Sequence, residues 1–261
     1  MRAVRRERYL PVEHDHNHVS FSGGTMKIGI IGAGHIGGNL TRRFSALGHK
    51  VFVANSRGPD TLADLAAETG ATAVTVNEAA RAGDVVVVTI PLKNIPKLPR
   101  DLFANTPATV AIVDTGNYYP QRDGHIEAIE QGTTESRWVS QQLRRPVIKA
   151  FNNIYAKHLL EKGKPKGAAG RIALPIAGDH KEAKALVLRL VEELGFDAVD
   201  AGGLDDSWRQ QPGTPVYATD FDAAGVRQGL SEATPERKPQ FRADGAGAAR
   251  SSGASRPETR A

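Results

Sequence analysis

Short apolar runs alternate with segments of helical periodicity along the middle of the chain, between about residues 26 and 232. Six of these runs predict strands, at residues 27–31, 50–54, 71–76, 84–90, 109–114 and 146–151. The run at 84–90 is apolar almost throughout, which is typical of a central strand that is covered on both faces. Strands that alternate with helical segments predict a parallel sheet with crossover helices.

Helical periodicity follows the first strand and recurs before the sixth. The first helix is predicted from an apolar stripe formed by Ile36, Leu40, Phe44 and Leu47. The segment 115–145 is too long for a loop, so we expect it to contain one or two helices.

The C-terminal part has its own alternation of elements. A strand is predicted at 171–177 and another at 196–201. Between them, helical spacing of apolar residues predicts a helix from about residue 180, and Asp179 with Glu182 form a capping-box pattern at its start.

These patterns predict an α/β protein with two folded units and two disordered tails. Residues 26–151 are expected to form a Rossmann-type doubly wound parallel sheet, and residues 152–232 a smaller C-terminal α/β domain. Residues 1–25 show no periodicity, and residues 233–261 are rich in Ala, Gly, Ser, Pro and Arg, so both are expected to be disordered. Because Met26 opens the first strand directly, it is a candidate start of translation.

Composition narrows the functional classes. The terminal segments 1–25 and 233–261 carry +1 and +3 of the formal net charge of +5, so the folded part is close to neutral and we expect no nucleic-acid partner. There is no cysteine and no apolar run of membrane-spanning length, so we expect a cytoplasmic protein without a membrane partner. Alternate histidines at residues 14–18 are read as a solvated tail, and no metal site is expected.

The strongest chemical signal is a glycine motif between the first strand and the first helix. The motif reads Gly32-Ala33-Gly34-His35-Ile36-Gly37. Gly32 permits a tight turn, Gly34 lets the backbone approach a pyrophosphate, and Gly37 lets the helix approach the sheet. A second strand some 20 residues on completes the βαβ context that the motif requires. The spacing therefore predicts a dinucleotide site at the helix N-terminus.

The end of the second strand indicates which dinucleotide is bound. An NAD site usually has Asp or Glu there, whereas this chain has Asn55, Ser56 and Arg57, with no carboxylate before Asp60. Arg57 can form charge-assisted hydrogen bonds with a 2′-phosphate, and Ser56 can donate from its hydroxyl. We therefore predict NADP as the cofactor.

With these motifs and Thr89-Ile90-Pro91 at the end of the fourth strand, the chain resembles a known family. It is similar to the NADP oxidoreductases that use a deazaflavin coenzyme (F420), together with related dinucleotide-binding reductases. The resemblance extends over about residues 26–232 and includes the segments 113–117 and 147–153.

The resemblance implies hydride transfer between the nicotinamide and a planar deazaflavin or flavin-like acceptor stacked on it. Such a reaction needs mainly positioning of the two rings and exclusion of water, so no catalytic residue is assigned. By matching position, Thr89, Ile90 and Pro91 line the nicotinamide end of the crevice, and Asn117 and Asn152 are candidates at the same rim.

The acceptor side is less defined. Trp208, Arg209, Gln210 and Tyr217 form a stacking and hydrogen-bonding wall in one interpretation. In the other, Trp208 only packs the smaller domain on the larger one. The partner is a small-molecule hydride acceptor, and a homodimer stays an open expectation.

Two other functions fit part of the pattern. A β-hydroxyacid dehydrogenase has a lysine and an asparagine spaced like Lys149 and Asn152, but there the lysine lies on a helix, whereas Lys149 lies in a strand-like run. A non-enzymatic sensor of NADPH would keep residues 32–57 and would not need an open acceptor cleft.

Overall fold

The computed structural model describes residues 24–243 of the 261-residue chain. The histidine-rich stretch at residues 14–18 and the predicted disorder of the outer termini lie outside the described residues. Within residues 24–243, no helix is both long enough and apolar enough to cross a membrane.

A six-stranded parallel sheet forms the centre of the protein. Its strands are β1 Lys27–Ile31, β2 Lys50–Ala54, β3 Thr72–Ala73, β4 Val85–Val88, β5 Ala111–Asp114 and β6 Ile148–Lys149. Their order across the sheet is β3-β2-β1-β4-β5-β6. The order reverses between β1 and β4, and open α/β sheets bind ligands at the carboxyl ends of the strands on either side of such a reversal. The predicted Rossmann-type α/β fold is confirmed.

Nine α-helices lie within residues 24–243, most of them short. They are α1 His35–Ala46, α2 Ala63–Thr69, α3 Val76–Ala79, α4 Pro120–Asp123, α5 Glu127–Glu130, α6 Glu135–Leu143, α7 Ala156–Glu161, α8 Lys181–Glu193 and α9 Ala223–Glu232. Four 3₁₀ helices add to them, at Pro59–Leu62, Leu92–Lys97, Leu204–Gln210 and Pro239–Phe241. The segment 115–145 thus holds three short helices where we expected one or two.

The two faces of the sheet are covered by different apolar layers. Val85 and Val87 of β4 belong to the layer under α1, α7 and α8, while Val86 and Val88 belong to the layer under α3 and α6. Alternate residues of a strand point to opposite faces, so an apolar run such as β4 is buried on both sides. This double covering is the physical reason for the uninterrupted valines.

A second, smaller sheet follows the large one. Its two parallel strands are β7 Ala173–Ile176 and β8 Asp197–Asp200. Lys149 and Ala177 form an antiparallel bridge that joins this sheet to β6, with N–H···O distances of 2.8 and 3.1 Å. Helix α8 lies in the same apolar layer as β1 and β5, so the core is continuous across the boundary predicted at residue 151.

Several local predictions need correction. The strand predicted at 71–76 is cut to two residues, because Thr75 caps helix α3 in a capping box with Glu78. Leu47 is 44% exposed, since α1 ends one residue before it. His180 caps α8 through its side chain, so the capping box predicted for Asp179 and Glu182 is wrong.

The tail predicted from residue 233 begins too early. Ala233 is buried, the 3₁₀ helix Pro239–Phe241 is formed, and Arg237 makes an ion pair with the buried Glu135. The composition of this segment did not indicate that it is folded, because the few side chains that anchor it contact residues far away in the sequence.

Candidate active site

The glycine loop between β1 and α1 is shaped by close backbone approaches. Gly32 has a φ of +110°, and a Cβ there would overlap the carbonyl oxygen of Thr89. A Cβ at Gly37 would overlap the carbonyl oxygen of Gly32. Gly34 differs, because a Cβ placed on it would meet no atom within 4 Å. Gly32 and Gly37 are therefore required by the fold, whereas Gly34 leaves open space in front of the helix.

The N-terminus of α1 faces this open space. Gly34 is the N-cap residue, so no side chain accepts from the first backbone N–H groups, and the first turn has no acidic residue. His35 is exposed, and Ala33 and Ile36 are half-buried. Free N–H donors and the helix dipole favour an anion at such an end. The loop can therefore accept an anion at the start of α1.

The turn after β2 presents an arginine beside the glycine loop. The backbone N–H of Gly32 donates to the carbonyl of Ala54 at 2.8 Å, which ties the loop to the end of β2. The side-chain oxygen of Asn55 accepts from the backbone N–H of Arg57 at 2.8 Å. Ser56 and Arg57 are exposed, and the guanidinium of Arg57 pairs with no group within residues 24–243. Asn55 thus shapes the turn, and Arg57 is available to a ligand.

The end of β4 borders the same loop. A Cβ on Gly37 would lie 2.7 Å from the Thr89 methyl carbon, and one on Gly32 would lie 2.8 Å from Ile90 Cγ2. Thr89, Ile90 and Pro91 are half-buried. The structure therefore brings the glycine loop and residues 89–91 together at one edge of the sheet.

Asn117 and Asn152 join the ends of β5 and β6 to the 3₁₀ helix Leu204–Gln210. Asn117 Nδ2 donates to the carbonyl of Asn152 at 2.8 Å, and Asn152 Nδ2 donates to Asn117 Oδ1 at 3.0 Å. Gln210 Nε2 donates to Asn152 Oδ1 at 2.9 Å. Asn152 is buried and its amide is engaged by protein groups, while Asn117 is half-buried. Asn152 therefore orients Asn117 at the rim.

A buried charge cluster lies beneath this rim and consists of Asp114, Glu135, Lys149 and Arg237. Lys149 Nζ lies 3.3 Å from Asp114 Oδ2 and 4.0 Å from Glu135 Oε2, and it donates to the carbonyl of Gly116. The side chains of Lys149 and Glu135 are fully buried. The side chain of Lys149 therefore holds the loop after β5 from inside the protein, by its hydrogen bond to the backbone carbonyl of Gly116.

The charged form of Glu135 is stabilised by its cationic neighbours. Burial raises the pKa of its carboxyl above the ordinary value, while the charges of Lys149 and Arg237 act in the opposite direction. Arg237 Nη2 donates to Glu135 Oε1 at 2.8 Å. Charged groups taken out of water are costly unless they are paired, so this carboxyl requires both cations.

The four residues that were predicted to form an acceptor wall lie in different surroundings. Arg209 stacks on Trp208 at 4.5 Å, and Trp208 faces a cavity beside α6. Gln210 turns inward to the asparagines described above. Tyr217 forms a hydrogen bond with the hydroxyl of Tyr119. The pKa of Tyr217 is raised mainly by burial of its side chain, and this hydrogen bond raises it further. Among these four residues, Tyr217 is therefore the one that the structure connects, through Tyr119, to the loop after β5.

Sequence reasoning missed most of the buried charge cluster. One signal was present, because Lys149 stands alone in the apolar stretch Val147–Phe151, and a lone cation there calls for a buried partner. Arg237 gave no signal, since it lies in a segment of low-complexity composition.

Comparison with known proteins places the N-terminal part of the chain in a described family. The family model described as "NADP oxidoreductase coenzyme F420-dependent" matches residues 27–118, from β1 to the loop after β5. The protein YjhV of Escherichia coli K12 is 42% identical over 81 residues, which make up 31% of this chain and 52% of YjhV. The chain thus spans about half the length of this curated relative.

Two solved structures extend the likeness beyond residues 27–118. The hypothetical protein SMa0349 of Sinorhizobium meliloti is 31% identical with a TM-score of 0.64, over 75% of this chain and 94% of that one. A protein of Arthrobacter sp. FB24, named provisionally as an F420-dependent NADP reductase, is 22% identical with a TM-score of 0.56. That match covers 68% of this chain and 85% of the other, and at this identity it shows a shared fold.

Proposed function

The chain belongs to the family of NADP oxidoreductases described as coenzyme F420-dependent, and from this premise we propose that it transfers a hydride between NADP(H) and a deazaflavin or flavin-like acceptor. NADPH, when bound, supplies the hydride from its nicotinamide ring. The protein's part is to hold the two rings in contact and to exclude water between them.

The residues of the glycine loop fit a dinucleotide. Gly34 leaves the space that a pyrophosphate would fill, and the N–H groups at the start of α1 would donate to it. Arg57 and Ser56 would bind the 2′-phosphate, which would select NADP over NAD. Asn55 would keep Arg57 in place through the hydrogen bond to its backbone N–H.

The opposite end of the crevice would receive the acceptor. Thr89, Ile90 and Pro91 would line the nicotinamide, and Asn117 would border both rings. No side chain at this rim is required to abstract a proton from carbon, since hydride transfer between stacked rings proceeds by positioning.

The observation that carries the proposal is the meeting of three features at one sheet edge. The glycine loop, the Arg57 turn and the end of β4 are tied together by backbone contacts, which include the 2.8 Å hydrogen bond from Gly32 to Ala54. On this basis we infer that NADP lies along this edge from Arg57 past Gly34 to Pro91, with its 2′-phosphate, pyrophosphate and nicotinamide in that order.

The position of Lys149 argues against a β-hydroxyacid dehydrogenase. Its ammonium is fully buried between Asp114 and Glu135 and donates to the carbonyl of Gly116. A lysine that protonates a substrate must reach that substrate, and this one is enclosed by protein groups.

A binding experiment tests the cofactor half of the proposal. We expect Arg57→Ala to weaken NADPH binding by roughly 10- to 100-fold, because a hydrogen bond to a charged group contributes about 1.5–3 kcal/mol. NADH binding should change little. Fluorescence titration of both nucleotides measures this, with Arg189→Ala on α8, another exposed arginine, as the matched control. Equal losses for NADPH and NADH would contradict the assignment.

A second experiment tests the reaction. Steady-state oxidation of NADPH is measured with the deazaflavin coenzyme, FMN, a quinone and small carbonyl compounds as acceptors. We expect turnover with the deazaflavin or the flavin. Turnover with carbonyl compounds alone would overturn the proposed acceptor class, and tight NADPH binding without any turnover would favour a sensor.

A further inference from the structure

Residues 235–243 form a strap that lies across two segments of the rim. Gln121 Nε2 donates to the carbonyl of Gln240 at 2.7 Å, and the backbone N–H of Ala243 donates to Glu130 Oε1 at 3.0 Å. The ring of Phe241 lies 6.2 Å from the ring of Tyr119. Phe241 also packs on Gly213, where a Cβ would come within 2.9 Å of that ring. The strap thus spans the loop after β5 and the segment that follows Gln210.

Arg237 latches the strap into the protein interior. Its guanidinium donates to Glu135 Oε1 at 2.8 Å and to Gln211 Oε1 at 2.9 Å, and it lies 5.3 Å from the centre of the Tyr118 ring. Glu135 is fully buried and Arg237 is 14% exposed. If one partner of this buried ion pair moves away, the other charge is left without its partner and out of water, which is costly. The ion pair therefore holds the strap firmly in place.

Tyr119 connects the strap to the carboxyl edge of the sheet. Asp123 accepts from the backbone N–H of Tyr119 at 3.0 Å and from that of Lys93 at 3.3 Å, so Tyr119 is held beside the stretch that follows Pro91. The hydroxyl of Tyr119 bonds that of Tyr217. The residue after Tyr217 donates its N–H to the carbonyl of Asn153, just beyond β6, at 2.8 Å.

We propose that the strap is the outer wall of the acceptor site, and that Arg237 is the positioning residue that holds this wall in place. The aromatic rings of Tyr119, Tyr217 and Phe241 suit a flat, polar heterocycle, because they offer apolar faces together with hydroxyl groups. This inference rests on the proposed function, in which such a heterocycle accepts the hydride.

The test compares variants of the full-length protein in steady-state kinetics. In Arg237→Met, the KM for the deazaflavin coenzyme or FMN should rise roughly 10- to 100-fold, the loss that a misplacement of about 1 Å in a substrate-positioning wall can cause. The dissociation constant of NADPH should stay unchanged, since no hydrogen bond or ion pair joins residues 235–243 to the glycine loop Gly32–Gly37. Arg242→Met is the matched control, because Arg242 is an exposed arginine of the same strap.

A second variant covers the case in which Arg237→Met fails to fold. Phe241→Ala removes the contact with Tyr119 and leaves the ion pair of Arg237 and Glu135 intact, and the same rise in acceptor KM is expected. Amide hydrogen exchange supplies a readout that does not need activity. Exchange in residues 235–243 should be faster in Arg237→Met than in Arg242→Met.

The outcomes separate the two proposals. If the wild-type protein neither binds nor turns over any flavin-like acceptor, the proposed function fails and the acceptor wall fails with it. If the wild-type protein turns over and both Arg237→Met and Phe241→Ala keep its acceptor KM, the strap proposal alone is overturned. Unchanged exchange in residues 235–243 would overturn the latch.

Discussion

The two ends of the proposed site, the glycine end and the acceptor end, are built in different ways. At the glycine end, the loop Gly32–Gly37 and the turn Asn55–Gly58 lie within one βαβ unit, and their contacts are mainly between backbone atoms. At the acceptor end, the rim draws on the ends of β4, β5 and β6, on residues 204–217 and on the strap. These pieces are held by buried charges and amides, such as Lys149 with Glu135 and Asn152 with Gln210.

Each end therefore tolerates a different kind of substitution. The stability of a backbone that is shaped by glycines is sensitive to added side-chain volume. A rim held by buried ions is sensitive to the loss of one partner, because the other partner is left desolvated.

The largest effect is expected at the acceptor end, for Lys149→Met. The substitution leaves Asp114 and Glu135 without their shared cation, and removal of one partner from a buried ion pair costs about 3–5 kcal/mol. Chemical denaturation measures the free energy of unfolding. Lys157→Met, at an exposed lysine of α7, should stay within about 0.5 kcal/mol of the wild type. A loss as small as that of the control would show that the cluster contributes little to stability.

The loss in Lys149→Met should also depend on pH. Without Lys149, the pKa of Glu135 in the folded protein rises further above its ordinary value of 4.5. A group whose pKa is raised by folding contributes stability at low pH that is lost as the pH rises through its folded pKa. The difference from the wild type should therefore grow as the pH is raised from about 4.5 toward neutrality. A difference that is constant over this range would contradict the role of the Glu135 charge.

A smaller effect on stability is expected at the glycine end, where two glycines can be compared. Gly37→Ala places a Cβ against the Gly32 carbonyl, and overpacking of this kind costs about 1–3 kcal/mol. Gly34→Ala meets no protein atom, so its unfolding free energy should change by less than about 1 kcal/mol. NADPH binding should nevertheless fall in Gly34→Ala, as titration would show. If Gly34→Ala kept full NADPH affinity, the open space at Gly34 would not be the pyrophosphate site.

The smallest effect is expected for Asn55→Ala. It removes the hydrogen bond to the backbone N–H of Arg57, and a single hydrogen bond contributes about 0.5–1.5 kcal/mol. NADPH affinity should fall less than in Arg57→Ala, and thermal unfolding should shift only slightly. A greater loss of affinity in Asn55→Ala than in Arg57→Ala would mean that Asn55 itself binds the nucleotide.

Much of the fold could be predicted because its signals are local. The valines of β4 and the glycine spacing of the first loop each lie within a few residues, and they imply a buried central strand and a strand–turn–helix unit. The strand predicted at 71–76 was wrong because the capping residues Thr75 and Glu78 favour a helix start over the apolar run around them. The hydrogen bonds between Asn117 and Asn152 could not be foreseen, because the two residues are 35 positions apart in the sequence.

Local sequence patterns therefore predict the Rossmann-type sheet, the βαβ unit and the position of the glycine loop within that unit. Periodicity and turn chemistry act over short stretches of chain, so they can be read without coordinates. The burial of Lys149 between Asp114 and Glu135 depends on the folded arrangement of the chain. The same is true of the contact between Arg237 and Glu135, which are 102 positions apart in the sequence. Burial and pairing of charges depend on which distant segments meet, and that information arises when the chain folds.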